Sequence, residues 1–187
     1  MNFLTEDNLI NQENNYTGYQ SLQHKGLQIF YQDKMYIRPN TLSNFNYIRP
    51  NKLYSEQDVQ NTYTSMGRLR ALKYTNIRFD EVLDNDSAQL DANVLLTKGK
   101  NQSLSFEIEG TNSAGDLGAA ASMTFQHRNV FKGSETFTMK VRGAYEAITG
   151  LQEGYENDDY KEYGIEASLN FPEFKFPFLS SEFKRKI

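Results

Sequence analysis

The sequence predicts two folds in succession. An α+β module in the order β-α-α-β-β comes first, followed by all-β antiparallel strands of an incomplete transmembrane β-barrel. Three observations predict this. A one-faced helical periodicity at Val59, Tyr63, Met66 and Leu69 lies between strand-like segments. Beyond it, four stretches alternate apolar and polar residues, as half-buried strands do. Those stretches run about 9 to 13 residues, which suits a tilted membrane strand, whereas soluble strands average about five or six. Soluble sandwiches write the same alternation. A soluble α+β/β-sandwich binding protein without catalysis is therefore the competing reading.

Composition narrows the function classes. The chain has 187 residues, with 20 basic against 24 acidic residues and a net charge of −4. No basic stripe is present, which argues against nucleic acid as a partner. Cysteine is absent, so neither a disulfide framework nor a thiolate metal site is available. Aromatics are plentiful, with 12 Tyr and 13 Phe but no Trp. Only 38% of residues are hydrophobic, and no run approaches the roughly 18 apolar residues of a membrane helix. A barrel remains compatible, because barrel interiors are polar. The opening Met-Asn-Phe-Leu-Thr-Glu-Asp lacks the basic flank and apolar core of a secretory signal.

Residues 1–25, rich in Asn and Gln, read as a linker or the end of a preceding module. The α+β module is expected over 26–99. Leu27, Ile29 and Tyr31, with Met35 and Ile37 further on, suggest a strand interrupted near Asp33-Lys34. Pro39 starts a short helical stretch containing Leu42, Phe45 and Ile48, and Arg49-Pro50-Asn51 ends it. Ser55 is a good N-cap, and Asp58 three residues on completes a pattern like a capping box. Two strands follow, Asn76 to Val82 and Leu90 to Thr97, separated by the turn-rich Asp84-Asn85-Asp86-Ser87.

Residues 100–187 carry the alternating strands. The first sets Leu104, Phe106 and Ile108 against Ser103, Ser105, Glu107 and Glu109, and ends at the loop Thr111 to Asp116. The second runs from Leu117 to Arg128, with Leu117, Ala119, Ala121, Met123 and Phe125 on one face. After a short turn at Asn129 to Ser134, the third spans Glu135 to Ala147. It sets Phe137, Met139, Val141 and Tyr145 against Thr136, Thr138, Lys140, Arg142 and Glu146. A long acidic loop, Gly150 to Asp159, precedes the fourth, where Tyr163, Ile165, Ala167, Leu169 and Phe171 alternate with polar residues. The loops are thus expected to run long, short, long, the asymmetry of outer-membrane barrels.

Three passages in the first half and two in the second carry a family resemblance. The first half has Arg49-Pro50-Asn51-Lys52-Leu53-Tyr54-Ser55, then the helix to Met66-Gly67-Arg68-Leu69, then Ile77-Arg78-Phe79. The second has Glu109-Gly110-Thr111-Asn112-Ser113-Ala114-Gly115-Asp116-Leu117-Gly118 and Arg128-Asn129-Val130-Phe131-Lys132-Gly133-Ser134-Glu135. Over residues 27–178 the chain resembles the junction between the last POTRA module and the barrel of BamA/TamA-type outer-membrane assembly factors. These form the bacterial surface antigen superfamily, and the wording is Bacteroidetes-like. Asn129 and Gly133, framing the first periplasmic turn, look like its early-barrel signature. The chain departs from the family at Arg70 and Asn51, where glycine is usual. The family's later Arg-Gly inward loop is not found before Ile187, and Arg142-Gly143 lies inside the third strand.

The resemblance implies insertion and folding of β-barrel proteins by strand augmentation at a lateral gate. The gate strand would be Ser103, Leu104, Ser105, Phe106, Glu107, Ile108 and Glu109. It implies unfolded outer-membrane proteins, outer-membrane lipid and accessory lipoproteins as partners. It also implies a POTRA-like domain in the periplasm that receives substrate along an edge strand near Leu27 to Tyr31. Closed membrane barrels begin at about eight strands, so four are expected to be a fragment.

No catalytic constellation is legible, no cofactor is implied, and an enzyme is not expected. His24 and His127 lie far apart and lack ligands at metal spacing, so His127 reads as a pore-facing or turn-proximal polar residue. Glu153, Glu156, Asp158 and Asp159 lack the spacing and glycine of an EF-hand loop and read as a solvated outer loop. Glu107 and Glu109 share a strand face without a partner acid or base, so lumen-facing polarity is their expected role. Lys184-Arg185-Lys186 is expected to lead into a further strand.

Overall fold

The computed structural model describes residues 2–5, 18–84, 87–113, 116–147 and 159–173, with the backbone alone at 2–5, 83–84, 87–88 and 113. The fold is mostly β with two helices. In chain order the elements are β1 (Asn2–Thr5), β2 (Gln20–His24), β3 (Leu27–Tyr31), α1 (Pro39–Phe45), α2 (Glu56–Gly67), β4 (Leu72–Asp84) and β5 (Ser87–Lys98). Then come β6 (Gln102–Ser113), β7 (Asp116–Arg128), β8 (Thr136–Ala147) and β9 (Tyr160–Asn170). Two compact units result. The first holds the described residues of Met1–Asn101, Asn129–Glu135 and Phe171–Ile187; the second holds Gln102–Arg128 and Thr136–Asn170.

In the first unit a five-stranded sheet runs β2-β3-β1-β5-β4. Lys25 and Gly26, with φ of 50° and 77°, make the two-residue turn that joins β2 to β3 antiparallel. Left-handed conformations at both positions match the twist of a hairpin. β1 lies parallel to both β3 and β5, and β4 and β5 form a long antiparallel hairpin. Leu27 and Ile29 on β3 and Val94 and Leu96 on β5 pack with Leu42, Phe45, Met66 and Leu69 in one buried cluster. Each such side chain, fully buried, stabilises the fold by roughly 1.5–3 kcal/mol. Ser55 caps α2 as its position predicts, its Oγ accepting from the Asp58 N–H at 3.2 Å.

Three expectations need correction here. Residues 2–5 and 20–24, expected within a linker or the end of a preceding module, are strands of the same sheet, and β1 sits in its middle. In consequence β3 is an interior strand; the sheet's edges are β2 and β4, so Leu27 to Tyr31 offers no edge to a substrate. Ile48 lies beyond α1. Buried Asn46 ends that helix, its Nδ2 donating to the Ile48 carbonyl at 2.8 Å.

The second unit is an open sheet in the order β6-β7-β8-β9, every neighbour antiparallel. Its register is continuous: Phe106 faces Met123, Met123 faces Val141, and Val141 faces Ile165. Directly paired residues point to the same side of a sheet, so the rows sort into two faces. The first connection is shorter than the expected order of long, short and long loops requires, while that between β8 and β9 is longer than that between β7 and β8. β6 and β7 extend through Ser113 and from Asp116, so residues 114–115 alone join them, while Asn129–Glu135 separates β7 from β8. The polar run Thr111-Asn112-Ser113 reads as loop in sequence, yet it stays in register with Gly118, Leu117 and Asp116. Gly118 permits this, because a Cβ there would approach the Tyr145 carbonyl oxygen to 2.9 Å. The acidic loop residues 148–158 and Lys184-Arg185-Lys186 lie outside the described residues.

Candidate functional site

Every predicted gate-strand residue, Ser103 to Glu109, falls on β6, an edge of the second sheet among the described residues. The register puts Leu104, Phe106 and Ile108 in rows with Phe125, Met123 and Ala121 and onward across the sheet. One face of all four strands is therefore apolar. Its side chains are bare: Phe106 is 70% exposed, Ile108 86%, Tyr163 83% and Ile165 75%. Exposed apolar surface on this scale marks an interaction or membrane face.

The opposite face is polar and bridged by charge. Glu107 pairs with Lys140 at 3.7 Å, and Glu109 with Arg142 at 3.6 Å, although β7 lies between their strands. Small residues make this reach possible: Ser122 and Ala120 are the β7 partners of Glu107 and Glu109. Ser122 Oγ donates to Glu107 at 3.1 Å. Arg142 also pairs with Glu162 on β9 at 3.3 Å, so one cation serves carboxylates on both outer strands. Exposed pairs of this kind are each worth about 0–1 kcal/mol. They specify which charges line the edge more than they hold the sheet together.

Asn129 and Gly133, the predicted turn signature, belong to a built structure within the first unit. Glu135 is fully buried. Its Oε2 accepts from the Gly133 N–H at 2.8 Å and the Phe131 N–H at 3.3 Å, and its Oε1 lies 3.5 Å from Arg38. Arg38 donates further, from its backbone N–H to the Lys132 carbonyl at 2.7 Å and from Nε to the Phe131 carbonyl. Asn129 donates through Nδ2 to the Tyr36 carbonyl at 2.8 Å and accepts at Oδ1 from the Ser134 N–H at 3.0 Å. Ser134 Oγ accepts from the Ala71 N–H at 2.9 Å. Asn129, Lys132 and Ser134 all have left-handed backbones, with φ of 84°, 60° and 63°. Such conformations persist only where surrounding contacts over-determine them. Gly133 is needed for room: a Cβ there would come within 3.2 Å of Glu135 Oε2 and 3.0 Å of its Cδ.

The sequence places Glu135 as the first residue of the third strand, on the side of Phe137 and Met139. Burial follows because the strand begins only at Thr136 and the carboxylate turns back onto its own turn. The Tyr36 hydroxyl, on the same module, lies within hydrogen-bond distance of two acceptors for its single proton, the Ala71 carbonyl at 3.0 Å and Asn101 Oδ1. Burial pushes the Tyr36 phenol above its ordinary 10.0.

The first unit also holds a pocket of about 520 Å³, lined among others by Pro50, Leu53, Tyr54, Phe79 and Leu90. Tyr54 stacks edge-on against Phe79 with ring centres 5.2 Å apart. Phe79 lies on β4, the edge strand, where the Ile77 N–H donates to the Tyr63 hydroxyl at 2.9 Å. His24 contacts Asn40 Oδ1 at 2.8 Å. His127 shares the face of Phe125 and Phe137 beside the turn, so it is turn-proximal but not on the polar face. Its Nδ1 is buried without a hydrogen-bond partner among the described residues. Among those residues no cluster could hold a metal ion, and no helix is long and apolar enough to cross a membrane. A β-barrel crosses a membrane with strands and needs no such helix.

No protein-family model and no curated protein matches the chain. One solved structure it is similar to is that of BamA from Haemophilus ducreyi lacking POTRA domains 1–3, with a TM-score of 0.39 and 11% identity. The match covers 82% of this chain and 37% of that one, so the chain spans well under half the length of that protein. At that score the likeness is too loose to assign a function.

Ser134 and Glu135 lie in the passage that carries the family resemblance, but the roles of Arg38 and Tyr36 in the turn have no signal in the sequence. An Arg-to-Glu pair this far apart has no periodicity to betray it. The three consecutive turn residues Lys132-Gly133-Ser134 ahead of an acid were the single local hint.

Proposed function

We propose that the chain is a piece of an outer-membrane assembly factor, of the BamA/TamA type its sequence resembles, that accepts strands of unfolded outer-membrane proteins along β6. The observation that carries this reading is the second sheet: four strands of 11 to 13 residues in unbroken register, one face of which carries a broad band of exposed apolar side chains around Phe106, Ile108, Val141, Tyr163 and Ile165. A strand of about 9–11 residues tilted at about 45° spans the hydrocarbon layer. A soluble sandwich would instead pack that face against a second sheet.

The mechanism is hydrogen bonding, not bond chemistry. The outer edge of β6 carries backbone N–H and C=O groups, and in lipid each unsatisfied group costs several kcal/mol. An extended segment that adds to this edge satisfies both itself and β6. The first unit is the POTRA-like domain on this reading, lying in the periplasm, with β4 and its neighbouring pocket as the edge that meets substrate before the membrane. Outer-membrane lipid and accessory lipoproteins complete the partners, and neither cofactor nor nucleic acid takes part.

Flotation with phosphatidylethanolamine/phosphatidylglycerol vesicles tests the membrane half. The chain is expected to float, and Ile108→Glu combined with Ile165→Glu to leave it at the bottom of the gradient. A wild-type chain that stays soluble and monomeric would support the sandwich reading instead. Phe106→Pro tests the strand-addition half. It removes an edge donor and should abolish cross-linking of an unfolded outer-membrane protein to β6 while flotation persists.

A further inference from the structure

The charges on the two outer strands of the second sheet restrict what can pair with β6. On its polar face β6 presents Ser103, Ser105, Glu107 and Glu109, and β9 presents Glu162 and Glu166 with Gly164 between them. The sheet's own cations on these rows are Lys140 and Arg142. Arg142 is divided between Glu109 and Glu162, so carboxylate charge is left over at both outer strands. The apolar rows do not discriminate. Leu104, Phe106 and Ile108 would meet the Tyr163, Ile165 and Leu169 of a second copy as readily as any apolar segment.

Charge does discriminate. Residues directly opposite on neighbouring strands have Cβ atoms about 4.5–5.5 Å apart, where opposite charges attract and like charges repel. Pairing β6 with β9 of a second copy, or with a second β6, sets glutamate rows against glutamate rows. Both outer strands thus repel their own kind, a common defence of exposed sheet edges.

We infer that β6 selects extended segments whose alternate residues are apolar on one face and basic on the other, and rejects acidic ones, including a second copy of this sheet. The inference rests on the strand-addition reading above and names the substrate class of that edge. Glu107 and Glu109 are its specificity-determining residues. Lys140 and Arg142 are positioning residues that hold those carboxylates over the small side chains of β7.

Because the chain contains no cysteine, Ser103→Cys places a single thiol on the polar face of β6. Two 11-residue peptides serve as probes, each alternating leucine with either lysine or glutamate and each carrying one cysteine at a polar position. Disulfide formation with the Ser103→Cys chain in neutral detergent is followed at low salt. The lysine peptide should couple at least about fivefold more efficiently than the glutamate peptide, and the gap should shrink as salt screens the pairs. Glu107→Gln with Glu109→Gln should abolish the preference, and Glu107→Lys with Glu109→Lys should reverse it. Far-UV circular dichroism on each variant checks that the strands survive. Equal coupling of both peptides, or a preference that survives the Gln pair, overturns the charge selection and leaves strand addition standing. Coupling of neither peptide overturns both.

Discussion

The two sheets use the same alternating grammar and reach opposite ends. On β5 the alternating Ala92, Val94 and Leu96 are buried, together with Leu27, Ile29, Leu42 and Met66. On β6 the equally regular Leu104, Phe106 and Ile108 are exposed. What differs is the cover. Two helices with matching apolar stripes belong to the first unit, and among the described residues none follows β6 in sequence. Alternation therefore says that one face of a strand leaves water. It does not say whether the other side is protein or lipid. A second contrast runs between the connections. β6 ends at Ser113 and β7 starts at Asp116, whereas the longer connection Asn129–Glu135 folds around a buried carboxylate.

Matched truncations should separate the two sheets most widely. Leu96→Ala is expected to cost about 2–5 kcal/mol of stability by urea unfolding, since it leaves a cavity in a packed core. Ile108→Ala in detergent is expected to change stability by no more than about 0.5 kcal/mol, because its neighbours are solvent or detergent. Equal costs at the two sites would erase the distinction between a protein-covered and an uncovered face.

The next largest effect lies in the turn. Glu135→Ala deprives two backbone N–H groups and Arg38 of their acceptor, at a cost of roughly 2–4 kcal/mol, again read from urea unfolding. A loss below that of an ordinary surface substitution would mean that the turn is held without its carboxylate. Gly133→Ala should cost about 1–3 kcal/mol through overpacking against Glu135. Combined with Glu135→Ala it should cost less than the two summed, because the clash disappears with the carboxylate. Strict additivity would break the link between these two residues.

The smallest effect is a pH dependence at Tyr36. Its phenol is raised above 10.0 by burial, so the folded state holds that proton more tightly than the unfolded chain. The corresponding stability is fully present below pH 10 and is lost as the pH rises through the raised value. Wild type should therefore lose stability relative to Tyr36→Phe between neutral pH and pH about 11, and the two should keep a constant difference below pH about 9. Parallel curves across the whole range would show that the Tyr36 hydroxyl is not desolvated.

Local chemistry in the sequence determined a good deal. Ser55 as a cap, the apolar stripe of α2 and the facing of every strand from β6 to β9 follow from interactions within a few residues, whose periods of 3.6 and 2.0 are written in the chain. Tertiary structure decided the rest. It put β2 and β1 on either side of β3, which leaves β2 and β4 as the edges of that sheet. It also buried Glu135 beneath a turn whose hydrogen-bond partners, Tyr36 and Arg38, lie 93 residues from Asn129 and Phe131. Such contacts depend on which strands meet, and a pairing that closes a loop of that length leaves no periodic trace in the sequence. The gate-strand alternation was legible from the residues alone; the company its charges keep across β7 was not.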